Sequence, residues 1–272
     1  MAEVETNPVV LPDDQYDGDQ DSTLGSDAGS STQSISSTIL DYRRENGRTY
    51  HGYKDGNLQH HLCLLTYGDR LGIAPPGLPD SKVKNVLDVG TGTGIWAIDF
   101  GDEHPEAQVV GIDLSPTQPS VNLTPGGWVE IQEVGCEMAS DDNTVTKDTA
   151  LYKWCKLLDE AAVKLGRPFV KFDEMREHMI KAGFTDVVDK RFKWPTNRWP
   201  KERKYKELGA WNNENTGAAL EALTLAPFTR GLGWSHEEVV VFLTDVRKEL
   251  NDPRIHAYWP ICSIYGKKPE AT

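Results

Sequence analysis

Between Val83 and Leu114 the apolar residues fall in two short runs separated by glycine and a helical period. VKNVLDV (83–89) is β-branched and apolar enough for a buried parallel strand, and QVVGIDL (108–114) is a second. Between them GTGTG opens IWAIDFGDEHP, a helix-length segment stopped by Gly and Pro. Strand, glycine turn, helix and strand in that order predict a doubly wound sheet. GWVEIQEVG reads as a later strand. TKDTALYKWCKLLDEAAVKLG reads as a helix with Leu151, Trp154, Leu158 and Ala162 on one stripe. FDEMREHMIKAGF is another helix, with Asp173 as N-cap and Gly183 as stop, and FTDVVDKRFKWP is the strand that leaves it.

Upstream, Leu58, Leu62 and Leu65 lie at i, i+4 and i+7 on one helix face, which PPGLP ends. Residues 196–235 gather Trp199, Trp211, Phe228 and Trp234 in a partly helical insertion, either a substrate lid or the core of an extra helical layer. Ser235 and Glu238 have capping-box spacing and open a helix over 236–250. HAYWPICSIYGKKP is a last strand, in which Pro260 marks a bulge or an edge.

The 272 residues, 38% hydrophobic and 26% charged, suit one good-sized domain. The formal charge of −13 is unevenly spread. Residues 1–30 contain eight acids and no Lys or Arg, so the remainder is only mildly acidic, and direct nucleic-acid binding is not expected. Residues 1–37, rich in Asp, Ser, Gly and Thr, read as a disordered acidic tail, and 38–272 as the folded domain. The longest apolar run, Val239 to Leu243, is far too short to span a bilayer, and the N-terminus lacks a secretion pattern. Cys63, Cys136, Cys155 and Cys262 are scattered without a C-x-x-C, which predicts reduced thiols, no metal site, and a cytoplasmic or nuclear location.

The chemistry concentrates at the glycine turn. Gly90, Gly92 and Gly94 let the backbone turn sharply and approach a ligand where a Cβ would obstruct. Asp113 stands 19 residues past Gly94 at the end of the next strand, where a carboxylate can accept both hydroxyls of a ribose. The spacing is G-x-G-x-G behind Asp88 rather than G-x-G-x-x-G. An acid there suits a cofactor carrying an amine better than a pyrophosphate, which favours S-adenosylmethionine over a nicotinamide cofactor and an oxidoreductase. His60 and His61 read as surface and core rather than ligands. His51 is a candidate base that nothing places, and Glu133 is a better candidate than Glu130 for substrate contact.

LDVGTGTGIWAIDF resembles the loop of class I S-adenosylmethionine-dependent methyltransferases. Together with GIDLSPTQPS, NLTPGGWVEIQEV, GLGWSHEEV and the closing YGKKP, it resembles the fungal LaeA-like methyltransferases from about Ile39 to Pro269. The resemblance implies that Asp88, Gly90, Thr91, Gly92, Gly94 and Asp113 carry S-adenosylmethionine, and that Tyr50 or Tyr53 closes over it. It implies methyl transfer to a small-molecule or protein acceptor in, or in regulation of, secondary metabolism. The alternative is a catalytically silent scaffold that works through a regulatory protein partner.

One departure from that family is large. Between Asp113 and Pro125-Gly126-Gly127 its sheet needs two further strands with their helices, on the order of 50 residues. Only the 11 residues from Leu114 to Thr124 are present. The missing part would carry the adenine contact and the strand beside VKNVLDV. That strand must therefore pair directly with GWVEIQEV or leave an open edge. A shorter connection is also implied around KDGNLQHH. Two origins fit, a reduced family member with weak or no transfer activity or a mis-spliced product.

Overall fold

The computed structural model describes residues 9–13, 58–112 and 123–270, and the backbone alone of 4–5, 42–45 and 48–51. The larger sheet is organised around β8 (Tyr258–Lys267), which pairs antiparallel with β6 (Trp128–Val134) and with β7 (Thr185–Pro195). β1 (Val4–Glu5) adds a parallel strand outside β7, giving the order β1-β7-β8-β6. Alternation along β8 sends Trp259 and Ile261 to one face and Cys262 and Ile264 to the other. The second face packs on Phe172 and Met179 of α4 (Phe172–Lys181). The first meets a helical layer of α1 (Leu58–Tyr67), α3 (Ala150–Lys164), α5 (Arg203–Ala226) and α6 (His236–Leu250), whose core includes Leu62, Leu151, Trp154, Leu220 and Leu243. Each such fully buried Leu contributes about 1.5–3 kcal/mol.

Trp211 and Phe228 are buried in that core, so the aromatic insertion is a helical layer and not a lid. Ser235 caps α6 in a reciprocal box with Glu238, as its spacing predicts. In α4 the cap is Lys171, and Asp173 lies inside the first turn, where its charge complements the free amides. Pro260 sits in the central strand rather than at an edge. The ladder to β6 stops at Val134 opposite Ile261, the Gly135 amide donates to the Pro260 carbonyl (2.8 Å), and pairing resumes at Ala139 opposite Tyr258, four residues on one side against two on the other. The irregularity removes the need for a proline N–H, so the bulge reading holds.

β4 (Asn85–Val89) pairs in parallel with β5 (Gln108–Ile112), Leu87 opposite Val110, and with no other strand among the described residues. α2 (Ile95–Glu103) packs against β5. Leu87, Val89 and Val110 remain 38%, 50% and 46% exposed. Of the two outcomes open to the short junction, the open edge is the one seen. Among the described residues the doubly wound α/β sheet is in two pieces, β4-β5 and β1-β7-β8-β6, divided where the family's strand beside β4 has no counterpart in the short junction. An apolar edge of this kind templates pairing with another chain. Sedimentation velocity should show concentration-dependent self-association that Leu87→Lys suppresses. A wild-type protein that stays monomeric across a wide concentration range would refute this.

Residues 1–37 are not one uninterrupted disordered tail. Val10 is buried against Trp199 and Tyr258, the Asp13 amide donates to the Trp199 carbonyl (2.9 Å), and the Lys201 amide donates to the Leu11 carbonyl (2.9 Å). The short apolar run VVL finds a tertiary partner that local composition does not announce. Apart from residues 9–13 and the backbone of β1, that tail lies outside the described residues, as does the KDGN connection. β2 (Tyr42–Glu45) and β3 (Arg48–His51) form an antiparallel hairpin. Among the described residues no helix is long and apolar enough to cross a membrane.

Candidate cofactor site

The turn between β4 and α2 is built by left-handed backbone at three glycines, Gly90 (φ +83°), Gly92 (φ +52°) and Gly94 (φ +79°). The amides of Gly90 and Thr91 both donate to the Ile112 carbonyl, at 2.7 and 3.0 Å, which folds the turn onto the end of β5. Gly111 allows this closure, because a Cβ there would come within 2.6 Å of Thr91 Oγ1. No such crowding explains Gly90 and Gly94, where an added Cβ would meet nothing within 4 Å. Their role is conformational, and the space before them is open. Asp88 Oδ2 and Thr91 Oγ1 are buried at this turn without a hydrogen-bond partner among the described residues. Buried polar atoms left unpaired are rare, because each costs about 1–3 kcal/mol. The structure thus brings five of the six predicted site residues into one turn. Asp113 and Tyr53 lie outside the described residues, and of Tyr50 and His51 only the backbone, in β3, is described.

A second set of residues holds the turn to the rest of the molecule. The Glu130 carboxylate accepts the backbone amides of Ile73 and Ala74 (2.9 Å each), the Ser263 hydroxyl (2.6 Å) and the Gln132 amide (3.2 Å). The Leu71 carbonyl accepts both Gln132 Nε2 (3.0 Å) and the Trp96 indole of α2 (2.9 Å). His60 bonds Asp99 of α2 (2.9 Å), and His61 packs edge-on against Trp211 at 4.6 Å. These bonds tie α2 and the 71–74 segment to β6 where no strand ladder does so. They meet β6 at Glu130 and Gln132, either side of its centre. Glu133, the acid preferred for substrate contact, is exposed, and its carboxylate accepts the neighbouring Val134 amide (3.1 Å). Glu130 is the engaged acid, with a positioning role. Only the apolar-polar alternation of β6 could have hinted at it.

Residues 68–181 match a family model described as a methyltransferase domain. The methyltransferase pytC of Aspergillus terreus is 34% identical over 304 residues, covering 89% of this chain and 93% of that protein. The chain belongs to the fungal LaeA-like methyltransferases. The probable methyltransferase tdiE of Emericella nidulans is 33% identical over 79% of this chain and 81% of its own. The secondary metabolism regulator laeA of Aspergillus fumigatus is 30% identical over 91% and 82%. The pytC alignment leaves roughly 60 positions of that relative with no residue opposite them here, comparable to the on the order of 50 residues in two βα units. This LaeA-like chain is therefore shorter than its relatives internally, which agrees with the divided sheet.

Proposed function

We propose that residues 38–272 transfer a methyl group from S-adenosylmethionine to a small-molecule or protein acceptor in the cytoplasm or nucleus. The reading places the reaction in, or in control of, fungal secondary metabolism, as the names of its relatives suggest. The observation that carries it is the pair of buried atoms Asp88 Oδ2 and Thr91 Oγ1, without a partner among the described residues, beside a left-handed glycine turn. A carboxylate oxygen in that position suits an ammonium donor, and a hydroxyl suits either role, so these residues fit S-adenosylmethionine. Asp88 would hold its amine, Gly90, Thr91, Gly92 and Gly94 its amino-acid end, and Asp113 its ribose. The bound cofactor supplies an electrophilic methyl on a sulfonium. The protein's part is then largely alignment of the acceptor. A regulatory protein partner would act on the same fold.

Calorimetric titration with S-adenosylmethionine and with its demethylated product should give saturable binding of both. Absence of heat at millimolar ligand would refute methyl transfer by this chain and favour a silent scaffold. Saturable binding of NAD in place of either would overturn the assignment of the turn.

A further inference from the structure

A compact cluster of titratable side chains stands at the end of the larger sheet and belongs to no part of the glycine turn. β6 and β7 both run antiparallel to β8, so the ends of β6 and β7 and the start of β8 share one rim. The Leu71 carbonyl, shared by Trp96 and Gln132, ties the helix that follows the glycine turn to the middle of β6. In open α/β sheets, ligands bind outside the carboxyl ends of the strands. On the rim, Asp141 accepts the Tyr258 hydroxyl (2.8 Å) and Lys193 Nζ (2.7 Å). Beside it, Asp142 Oδ1 accepts the Thr144 amide (3.1 Å) and hydroxyl (2.8 Å), while Asp142 Oδ2 bonds His256 Nδ1. The His256 amide donates to Thr144 Oγ1 (2.9 Å), and its ring lies 5.1 Å from Trp199.

The chemistry of the cluster singles out one atom. Burial pushes the Asp142 carboxyl up, but hydrogen bonds from His256 and Thr144 outweigh it and hold the group below the ordinary carboxylate range. An ionised carboxylate only accepts, so His256 Nδ1 donates to Asp142 and Nε2 is the ring nitrogen left for a ligand. Burial and the bond to Asp141 keep the Tyr258 phenol protonated, and the Lys193 charge is matched by Asp141. His256 Nε2 bonds no described residue, and the side chain is 20% exposed.

We propose that His256, oriented by Asp142, is the base that takes the proton of a phenol-class methyl acceptor at this rim. The proposal rests on the methyl-transfer reading. The acceptor's O–H bond breaks, the proton passes to Nε2, the electron pair stays on oxygen as a phenolate, and the imidazolium is stabilised by Asp142. A phenol is far more acidic than an aliphatic alcohol, so it is the hydroxyl class that an imidazole base can deprotonate. The side chains of Asp141, Asp142, Lys193 and Tyr258 set the local charge, and none of them offers a competing open base.

The test uses 4-nitrophenol, whose phenolate absorbs in the visible, at a pH below its own pKa. Titrating the full chain into the probe should raise the phenolate band. His256→Gln should abolish that rise, and Asp142→Asn should weaken it by about tenfold or more, because an amide can donate to Nδ1 and move the ring proton to Nε2. Both variants should bind S-adenosylmethionine with wild-type affinity, which also shows that they fold. No band with the wild type, or a band that persists in His256→Gln, overturns the proposal. Loss of S-adenosylmethionine binding by the wild type overturns the methyl-transfer reading instead, and the band is read without cofactor.

Discussion

Gly92→Asp should leave the fold standing and weaken S-adenosylmethionine binding by at least a hundredfold, or about 2.7 kcal/mol. Gly92 has φ +52°, a left-handed conformation that Asp tolerates better than most residues. A Cβ there meets nothing closer than the Gly90 carbonyl at 4.0 Å. The cost to folding is therefore about 1 kcal/mol. The new carboxylate would stand in the space before the turn that also carries Asp88 Oδ2, which has no partner among the described residues. Two like charges would then face a ligand whose amine needs only one. Asp88→Asn keeps the shape and removes the charge, so its loss should be smaller, about tenfold. Calorimetry reads the affinity and a thermal melt reads the fold. Wild-type affinity in Gly92→Asp would mean that the cofactor does not lie against this turn.

What could be read from sequence was local. The glycine turn, the flanking strands and the Ser235–Glu238 box each depend on spacings of a few residues, and physical rules at that range are strong. The missing strands were also legible, because strand and helix lengths set a minimum that 11 residues cannot meet. The bonds that hold the site were not legible. Glu130 reaches Ile73 across 57 residues and Asp142 reaches His256 across 114, separations at which a single sequence carries no pairing signal. The docking of Val10 failed to show for a related reason: an apolar triplet in acidic surroundings looks solvated until Trp199 and Tyr258 are beside it. Pro260 was ambiguous because proline forbids a bond without saying which strand forgoes it.

Glu130→Ala should cost about 3 kcal/mol, and the cost should fall on one part of the molecule. The substitution strips acceptors from the Ile73 and Ala74 amides and from the Ser263 hydroxyl, three donors in a partly buried junction. In an unbroken sheet a ladder beside β4 would share that load. Here β4 pairs only with β5 among the described residues, so the side-chain bonds through Glu130, Gln132, Leu71 and Trp96 are a principal tie between the glycine turn and β6. The helical core around Leu151, Trp154, Leu220 and Leu243 does not include Glu130 and should stay closed. Hydrogen exchange should therefore quicken roughly a hundredfold at β4, α2 and β5 while α3, α5 and α6 keep their protection. Cofactor affinity should fall with it, since a turn that opens binds only in its closed fraction. Glu130→Gln keeps one carbonyl oxygen and should recover about half of the loss. Uniform destabilisation of all helices by Glu130→Ala would mean that the two pieces of the sheet are joined by packing, and that the carboxylate is incidental to it.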